Sequence, residues 1–223
     1  RAQGGLPRRR PDLPGFGSSP PSGEPVTMGS FATLSLALLD ALGIERATVL
    51  GLSMGGYVAF ELHEQAPDRV KALVLCDTRA TADTEDGRRA REATARALEE
   101  EGTVQPLVER MAPNLVSPAA TPELRREVEK LIADSSAEGA AAAQRAMARR
   151  RDFSGRLAAI GCPTLLLVGS GDSITSPAEM QGLARAIPNA EYHVIPGAGH
   201  LSNLEQPKAF DELLAAFLRK VHG

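Results

Sequence analysis

Three polar residues of types that cooperate in acyl transfer each follow a separate apolar run of the sequence. Ser53 comes after a run that ends at Leu50, Asp172 follows residues 163–169, and His200 follows residues 192–196. A serine hydroxyl is a weak nucleophile until an imidazole within hydrogen-bond reach takes its proton, and a carboxylate must fix the tautomer of that imidazole. The chain order Ser, Asp, His is one of the orders in which this combination has arisen. The residue types and their order therefore predict nucleophilic acyl transfer at Ser53.

Ser53 lies in the motif Gly51-Leu52-Ser53-Met54-Gly55. The β-branched run before the motif predicts a strand, and the amphipathic residues 56–65 predict a helix that ends before Pro67. A sharp turn between the two would hold the Ser53 hydroxyl clear at the head of the helix, and glycines on either side would let strand and helix pass closely. The alternative is a solvated serine in a glycine-rich turn, because a chain with 21 glycines can contain the pattern by chance.

The histidine and the acid each have competitors. Of the 4 histidines, His200 alone follows a strand in a glycine-containing loop. The others fall on a helix, in a strand and in the C-terminal tail: His63, His193 and His222. Asp77 also follows a predicted strand, so it competes with Asp172 for the role of acid, although it could instead cap the start of the segment that follows. We favour Asp172 because its loop directly precedes the strand that leads to His200.

Apolar runs that alternate with helical patterns place these residues in a doubly wound, mostly parallel α/β sheet. Thr27 predicts the start of a helix that ends at Gly43, with an apolar face of large side chains: Phe31, Leu34, Leu38, Leu39 and Leu42. Residues 70–76 predict a strand buried on both faces. Because Ser53, Asp172 and His200 would all follow carboxyl ends of strands, we expect them at one edge of the sheet.

Residues 79–151 differ from the rest and predict an inserted helical cap. They are rich in Ala, Glu and Arg, and helical patterns cover residues 84–101, 104–111, 122–133 and 137–150, with Gly102, Pro113 and Gly139 among the breaks. The Ala-rich piece 137–148 predicts either a weakly packed helix or a surface segment. The cap should lie over the edge that carries the site, where its apolar side chains need partners. These positions are Leu98, Leu107, Met111, Leu115, Leu131 and Met147, of which Met111 and Leu115 are the predicted substrate contacts.

Composition excludes several classes of function. A net charge of -3 gives no field for nucleic acid, and two short arginine clusters are more typical of solvated surface. Cys76 and Cys162 lie in apolar surroundings and lack the spacing of a zinc site, which favours buried thiols over a disulfide framework. Neither an apolar run of membrane-spanning length nor a signal-peptide pattern is present in the sequence, so the prediction is a cytoplasmic protein without a membrane partner.

Four motifs together resemble the α/β-hydrolase superfamily. They are Asp12-Leu13-Pro14-Gly15-Phe16-Gly17, Gly51-Leu52-Ser53-Met54-Gly55-Gly56, Gly169-Ser170-Gly171-Asp172 and Gly197-Ala198-Gly199-His200. Within it, the chain is similar to small carboxylesterases and enol-lactonase-like hydrolases. The resemblance implies that Ser53 is the nucleophile, His200 the general base, Asp172 its orienting acid and the Met54 amide an oxyanion-hole donor. It also implies a hydrolase core over residues 1–78 and 152–223, with the cap over residues 79–151.

The chain departs from this family at its N-terminal side. Members carry further strands before the Asp12–Gly17 loop, and a His-Gly loop among them gives the second oxyanion donor. Residues 1–11 are too rich in Gly, Pro and Arg to predict a buried strand. We therefore expect an N-terminally incomplete fold with an unpaired sheet edge. Either the chain is a truncated product, or another chain, such as a homo-oligomer partner, covers this edge, or the activity is weak.

The predicted function is hydrolysis of small carboxylic esters or lactones through an acyl-serine, which needs neither a metal nor an organic cofactor. Acyl transfer or perhydrolysis on the same three residues is an alternative, because the pocket decides which nucleophile enters. A ligand-binding protein that keeps the fold without catalysis is a further alternative, favoured by the N-terminal departure.

Overall fold

A computed structural model describes residues 6–22 and 24–223 of the chain. It contains a 4-stranded sheet whose order is β1-β2-β3-β4. The strands are β1 Ala47–Leu52, β2 Val70–Cys76, β3 Thr164–Gly169 and β4 Ala190–Ile195. All neighbouring strands pair in parallel. Their carboxyl ends therefore meet at one edge, which is followed in the chain by the loops of Ser53, Asp172 and His200.

Helices connect the strands and flank the sheet. They are α1 Met28–Ala41, α2 Met54–Gln65, α3 Glu85–Glu101, α4 Gln105–Leu115, α5 Pro122–Ala133, α6 Ala137–Ala148, α7 Pro177–Ala186, α8 Ser202–Glu205 and α9 Pro207–His222. The start of α1 follows from Thr27, whose hydroxyl accepts the Ser30 amide in a reciprocal capping box. Ser176 caps α7 in the same way. Two short 3-10 helices cover Pro67–Arg69 and Ser154–Ala159.

Both faces of the sheet are covered, which explains the nearly continuous apolar sequence of β2 and β3. Leu73 and Leu75 of β2 pack with α1, α2 and α7 on one face. The alternating residues Val74 and Cys76 pack with Phe210 and Phe217 of α9 on the other face. The predicted α/β class with a mostly parallel sheet is confirmed.

Strand β1 forms one border of the sheet within the described residues, since it pairs only with β2 there. Leu50 of β1 is 47% exposed. On the neighbouring helix α1, Phe31 is fully buried, whereas Leu34 is 48% and Leu42 45% exposed. The predicted apolar face of this helix is therefore buried only in part. Cover of this border by another chain stays a prediction.

Helices α3 to α6 lie between β2 and β3 in the chain, and we call them the inserted helices. The two connections that lead into and out of them are joined to each other. The Phe153 amide donates to the Ala80 carbonyl at 2.8 Å, and Arg150 donates to the Thr81 carbonyl at 3.0 Å. Arg150 also forms an ion pair with Asp83 at 2.7 Å, and both side chains are nearly buried. These contacts fix the base of the inserted helices.

The inserted helices differ from the sequence prediction in four details. Pro113 does not break α4, which continues past it to Leu115. Gly139 lies in the first turn of α6, and its amide is capped by Ser136. The Ala-rich α6 is mostly buried rather than weakly packed, because its small side chains let α3 approach closely. Leu131, predicted to be buried, is 55% exposed.

The N-terminal prediction concerns residues 1–11, of which residues 1–5 lie outside the described part. Residues 6–11 are exposed and contain neither helix nor strand. Within residues 6–22 and 24–223, helices long and apolar enough to cross a membrane are absent. The cytoplasmic location stays a prediction.

Candidate active site

The turn between β1 and α2 holds Ser53 in a conformation that non-glycine residues seldom adopt. Its φ is 51° and its ψ is -114°. The Ser53 amide donates to the Cys76 carbonyl at 2.9 Å, and the Thr78 hydroxyl donates to the Ser53 carbonyl at 2.7 Å. Hydrogen bonds from the end of β2 thus hold the strained residue on both sides of its α-carbon.

The glycines around Ser53 have unequal roles. A Cβ on Gly51 would lie 2.6 Å from the Gly56 nitrogen, so a side chain at position 51 has no room. A Cβ on Gly56 would lie 2.6 Å from the Cβ of Thr78. By contrast, a Cβ on Gly55 would meet nothing within 4 Å. The close approach of strand and helix therefore depends on Gly51 and Gly56, and the prediction that it depends on Gly55 is wrong.

Asp172 and His200 form a buried pair. Oδ2 of Asp172 lies 2.9 Å from Nδ1 of His200, and the side chains are 0% and 2% exposed. The other carboxylate oxygen of Asp172 accepts the amides of Ile174 and Thr175 at 2.8 and 2.9 Å. Because these amides fix the carboxylate, the proton on the imidazole is directed to Nδ1, and Nε2 is left as the proton acceptor.

Asp77, the competing acid, is directed away from the imidazole nitrogens. Its carboxylate accepts the Gly169 amide at 2.8 Å and the Ser202 hydroxyl at 2.6 Å. Burial raises the pKa of Asp77 to about 7, against the opposing effect of these two hydrogen bonds and of the nearby His200. Its φ of 47° lies in the left-handed region, which Asp tolerates better than most residues. Asp77 therefore links the loop of Asp172 to the loop of His200.

The remaining histidines lie in other surroundings. His222 lies in α9 instead of a frayed tail, and its ring nitrogens contact the Thr48 hydroxyl at 2.9 Å and the Lys71 amine at 3.3 Å. Burial lowers the pKa of His222, and the charge of Lys71 adds to this effect. His63 is on α2, where burial lowers its pKa, and His193 is in β4. The hydrogen bond to Asp172 distinguishes His200 from these three.

The structure brings the predicted residues together only in part. Among the hydrogen bonds of residues 6–22 and 24–223, a bond between the Ser53 hydroxyl and His200 is absent. Such contacts are often long before substrate binds. Met54 is the first residue of α2, where the amides have no acceptor within the helix. Met111 and Leu115 pack in one apolar cluster that also contains Leu201, next to His200.

Three residues that support this edge of the sheet were not predicted from the sequence: Thr78, Ser202 and Glu205. Thr78 and Ser202 make the bonds described above, and the Glu205 carboxylate accepts backbone amides of Gly199 and Ser117. A usable signal was the close spacing of Ser202 and Glu205 after His200, because polar residues near a predicted loop often fix its backbone.

Comparisons with known proteins agree with this fold. The family model described as alpha/beta hydrolase fold matches residues 10–207. The chain is similar to 3-oxoadipate enol-lactonase 2 of Acinetobacter baylyi, with 32% identity over 212 residues, which are 94% of this chain and 77% of that protein.

Two solved structures are similar in fold and in sequence. A malate-bound thermophilic esterase from Thermogutta terrifontis has a TM-score of 0.92 and 39% identity, over 95% of this chain and 79% of that chain. The enol-lactonase from Burkholderia xenovorans has a TM-score of 0.83 and 28% identity, over 93% of this chain and 79% of that chain. With the motifs in order on a parallel sheet and a family model that spans residues 10–207, the chain belongs to the α/β-hydrolase family.

Proposed function

We propose that this chain is a carboxylic ester hydrolase that cleaves small esters or lactones through an acyl-serine at Ser53. The observation that carries the proposal is the buried hydrogen bond between Asp172 and His200 at the same sheet edge as the strained Ser53. The similarity to proteins named as an enol-lactonase and an esterase supports this substrate class.

In the proposed first step, the Ser53 oxygen attacks the carbonyl carbon of the substrate while Nε2 of His200 takes the hydroxyl proton. Asp172 accepts a hydrogen bond from the Nδ1–H group of His200 and stabilises the imidazolium that forms, without taking the proton itself. The Met54 amide donates to the oxyanion, because it lies at the start of α2 and is not used within the helix. When the carbonyl re-forms, the bond to the leaving oxygen breaks and that oxygen takes the proton from His200.

In the second step, water attacks the acyl-serine and His200 again accepts the proton. The acid product leaves as the bond to the Ser53 oxygen breaks, and this oxygen takes the proton from His200, which restores the hydroxyl and the neutral imidazole. In a lactone, the leaving oxygen and the acyl group belong to one molecule, so the product is a single hydroxy acid. An enol lactone would release an enol acid, which tautomerises to the keto acid. The inserted helices, proposed as the cap over residues 79–151, would select the substrate through Met111 and Leu115.

An organophosphonate that reacts with activated serines tests the proposal directly. We expect mass spectrometry to find the adduct on Ser53 of the wild-type chain, and we expect neither adduct nor hydrolysis of p-nitrophenyl acetate with Ser53→Ala. Ser154→Ala is the matched control, because it removes an exposed hydroxyl elsewhere in the chain. Full hydrolysis by Ser53→Ala would exclude this nucleophile. An unlabelled, inactive wild-type chain would favour a ligand-binding protein.

A further inference from the structure

The loop that carries His200 is held by a short segment between α4 and α5. We call residues 115–117 the docking strip. The Leu201 amide, directly after His200, donates to the Leu115 carbonyl at 2.9 Å. On the other side of His200, a Cβ on Gly199 would lie 2.5 Å from the Ser117 nitrogen and 2.7 Å from the carbonyl carbon of Val116. Both chain neighbours of His200 are thus in contact with the inserted part of the chain.

The carboxylate of Glu205 joins the two segments a second time. One of its oxygens accepts the Gly199 amide at 2.5 Å, and the other accepts the Ser117 amide at 2.9 Å. Hydrogen bonds in which the acceptor is ionised are about twice as strong as neutral ones. The arrangement requires two acceptor oxygens, because each serves a different segment. A glutamine has only one acceptor oxygen, so it can keep one of the two bonds at most.

The docking strip is itself fixed, so it can serve as an anchor. Arg125 of α5 donates to the Ser117 carbonyl at 2.8 Å. Leu115 and Val116 are buried with Val128 of α5. The base of the inserted helices is held independently by the Arg150–Asp83 ion pair and the Phe153–Ala80 hydrogen bond. Loss of Glu205 would therefore loosen the backbone before His200, while the Leu201–Leu115 hydrogen bond remains and the inserted helices stay attached.

We infer that Glu205 is a positioning residue that couples the inserted helices to the catalytic base, by tying the backbone before His200 to the docking strip. This inference rests on the proposed function, since it assigns Glu205 an effect that acts through His200. A displacement of about 1 Å in a reacting group can lower a rate by roughly 100-fold. The inserted helices then do more than shape a pocket, because their position also sets that of the imidazole.

Glu205→Gln is the central test, with Glu212→Gln as the matched control because Glu212 is exposed on α9. We expect Glu205→Gln to lower kcat by roughly 10- to 100-fold on both p-nitrophenyl acetate and the octanoate ester. KM should stay within about twofold, since the pocket is unchanged. The rate at which the phosphonate labels Ser53 should fall by the same factor. Glu212→Gln should leave all three quantities at their wild-type values.

Two further variants keep the test decisive. Glu205→Asp retains the charge but is shorter by one methylene, so it should lose one of the two contacts and show an intermediate fall in kcat. In a His200→Ala background, adding Glu205→Gln should not slow labelling further, because the residue it positions is already absent.

Three outcomes would overturn the inference. If Glu205→Gln keeps the wild-type kcat on p-nitrophenyl acetate and loses kcat only on the octanoate ester, Glu205 shapes the pocket and does not position His200. A further loss in the His200→Ala background would mean that Glu205 acts independently of the base. Wild-type kcat for Glu205→Asp would exclude a need for both contacts. Failure of the proposed function gives a different result, since the wild-type chain itself would then be neither labelled nor active.

Discussion

Substitution of Asp77 by Asn should change how the stability of this protein depends on pH. Asp77 is fully buried, and burial raises the pKa of its carboxyl from an ordinary 3.8 to about 7. Between these values the folded protein keeps the proton that the unfolded chain releases. Because the folded state binds more protons there, the free energy of unfolding falls as pH rises through this window, and it levels off above about pH 7.

The size of the effect follows from the shift. Each pH unit in the window costs about 1.4 kcal/mol, so the whole window costs at most about 4 kcal/mol. Asn fits the site, because its oxygen can accept the Gly169 amide and its amide group can donate to the Ser202 hydroxyl, which then acts as acceptor. Asn also tolerates the positive φ at this position. The variant therefore keeps both contacts and removes the titration.

Urea unfolding at pH 5, 6, 7 and 8 measures the prediction. We expect the free energy of unfolding of Asp77→Asn, relative to wild type, to increase with pH up to about 7 and then to stay constant. Asp211→Asn is the control, because it removes an exposed carboxylate from α9. A difference between Asp77→Asn and wild type that is the same at every pH would refute the reasoning. It would mean that the Asp77 carboxyl does not titrate in this window.

Two other substitutions separate chemistry from packing. Asp172→Asn should lower kcat on p-nitrophenyl acetate by about 10⁴-fold, because Asn favours the wrong imidazole tautomer. A larger loss of kcat with Asp77→Asn would mean that Asp77, and not Asp172, orients His200. Gly139→Ala should lower the Tm, since its Cβ would lie 2.6 Å from the Cα of Gly15 and overpacking costs about 1–3 kcal/mol. Gly182→Ala in α7 is the control, because a Cβ there meets nothing within 4 Å. This variant should raise the Tm, since Ala favours a helix more than Gly does. Equal gains in Tm from both variants would contradict the packing argument.

Local sequence patterns were enough to predict the strands of the sheet, whereas the strand order comes from the structure. The apolar run of β2 at residues 70–76 and the capping residue Thr27 of α1 are where the sequence places them. Both signals depend on neighbours in the chain, namely the period of apolar residues and the side chain that caps a helix. For the same reason, the strand, turn and helix around Ser53 could be predicted without knowledge of the rest of the molecule.

Burial in the helices was predicted less well, because it depends on what packs against each face. Leu131 was predicted to be buried but is exposed, and Leu34 on the apolar face of α1 is exposed as well. The Ala-rich α6, predicted to be either weakly packed or at the surface, is mostly buried, since small side chains allow a close approach to α3. Helical periodicity shows which residues share a face, and it does not show whether another element covers that face.

The sequence by itself determined the fold class, the strained serine turn and the set of polar residues at the strand ends. It left Asp77 and Asp172 as competitors, because both follow a strand in the chain. Only the tertiary structure decided which carboxylate contacts His200, since that depends on side-chain direction at the ends of adjacent strands. It also decided the role of contacts between distant segments, such as Glu205 with Ser117. These contacts join loops that no local pattern relates, so they exist only once the chain is folded.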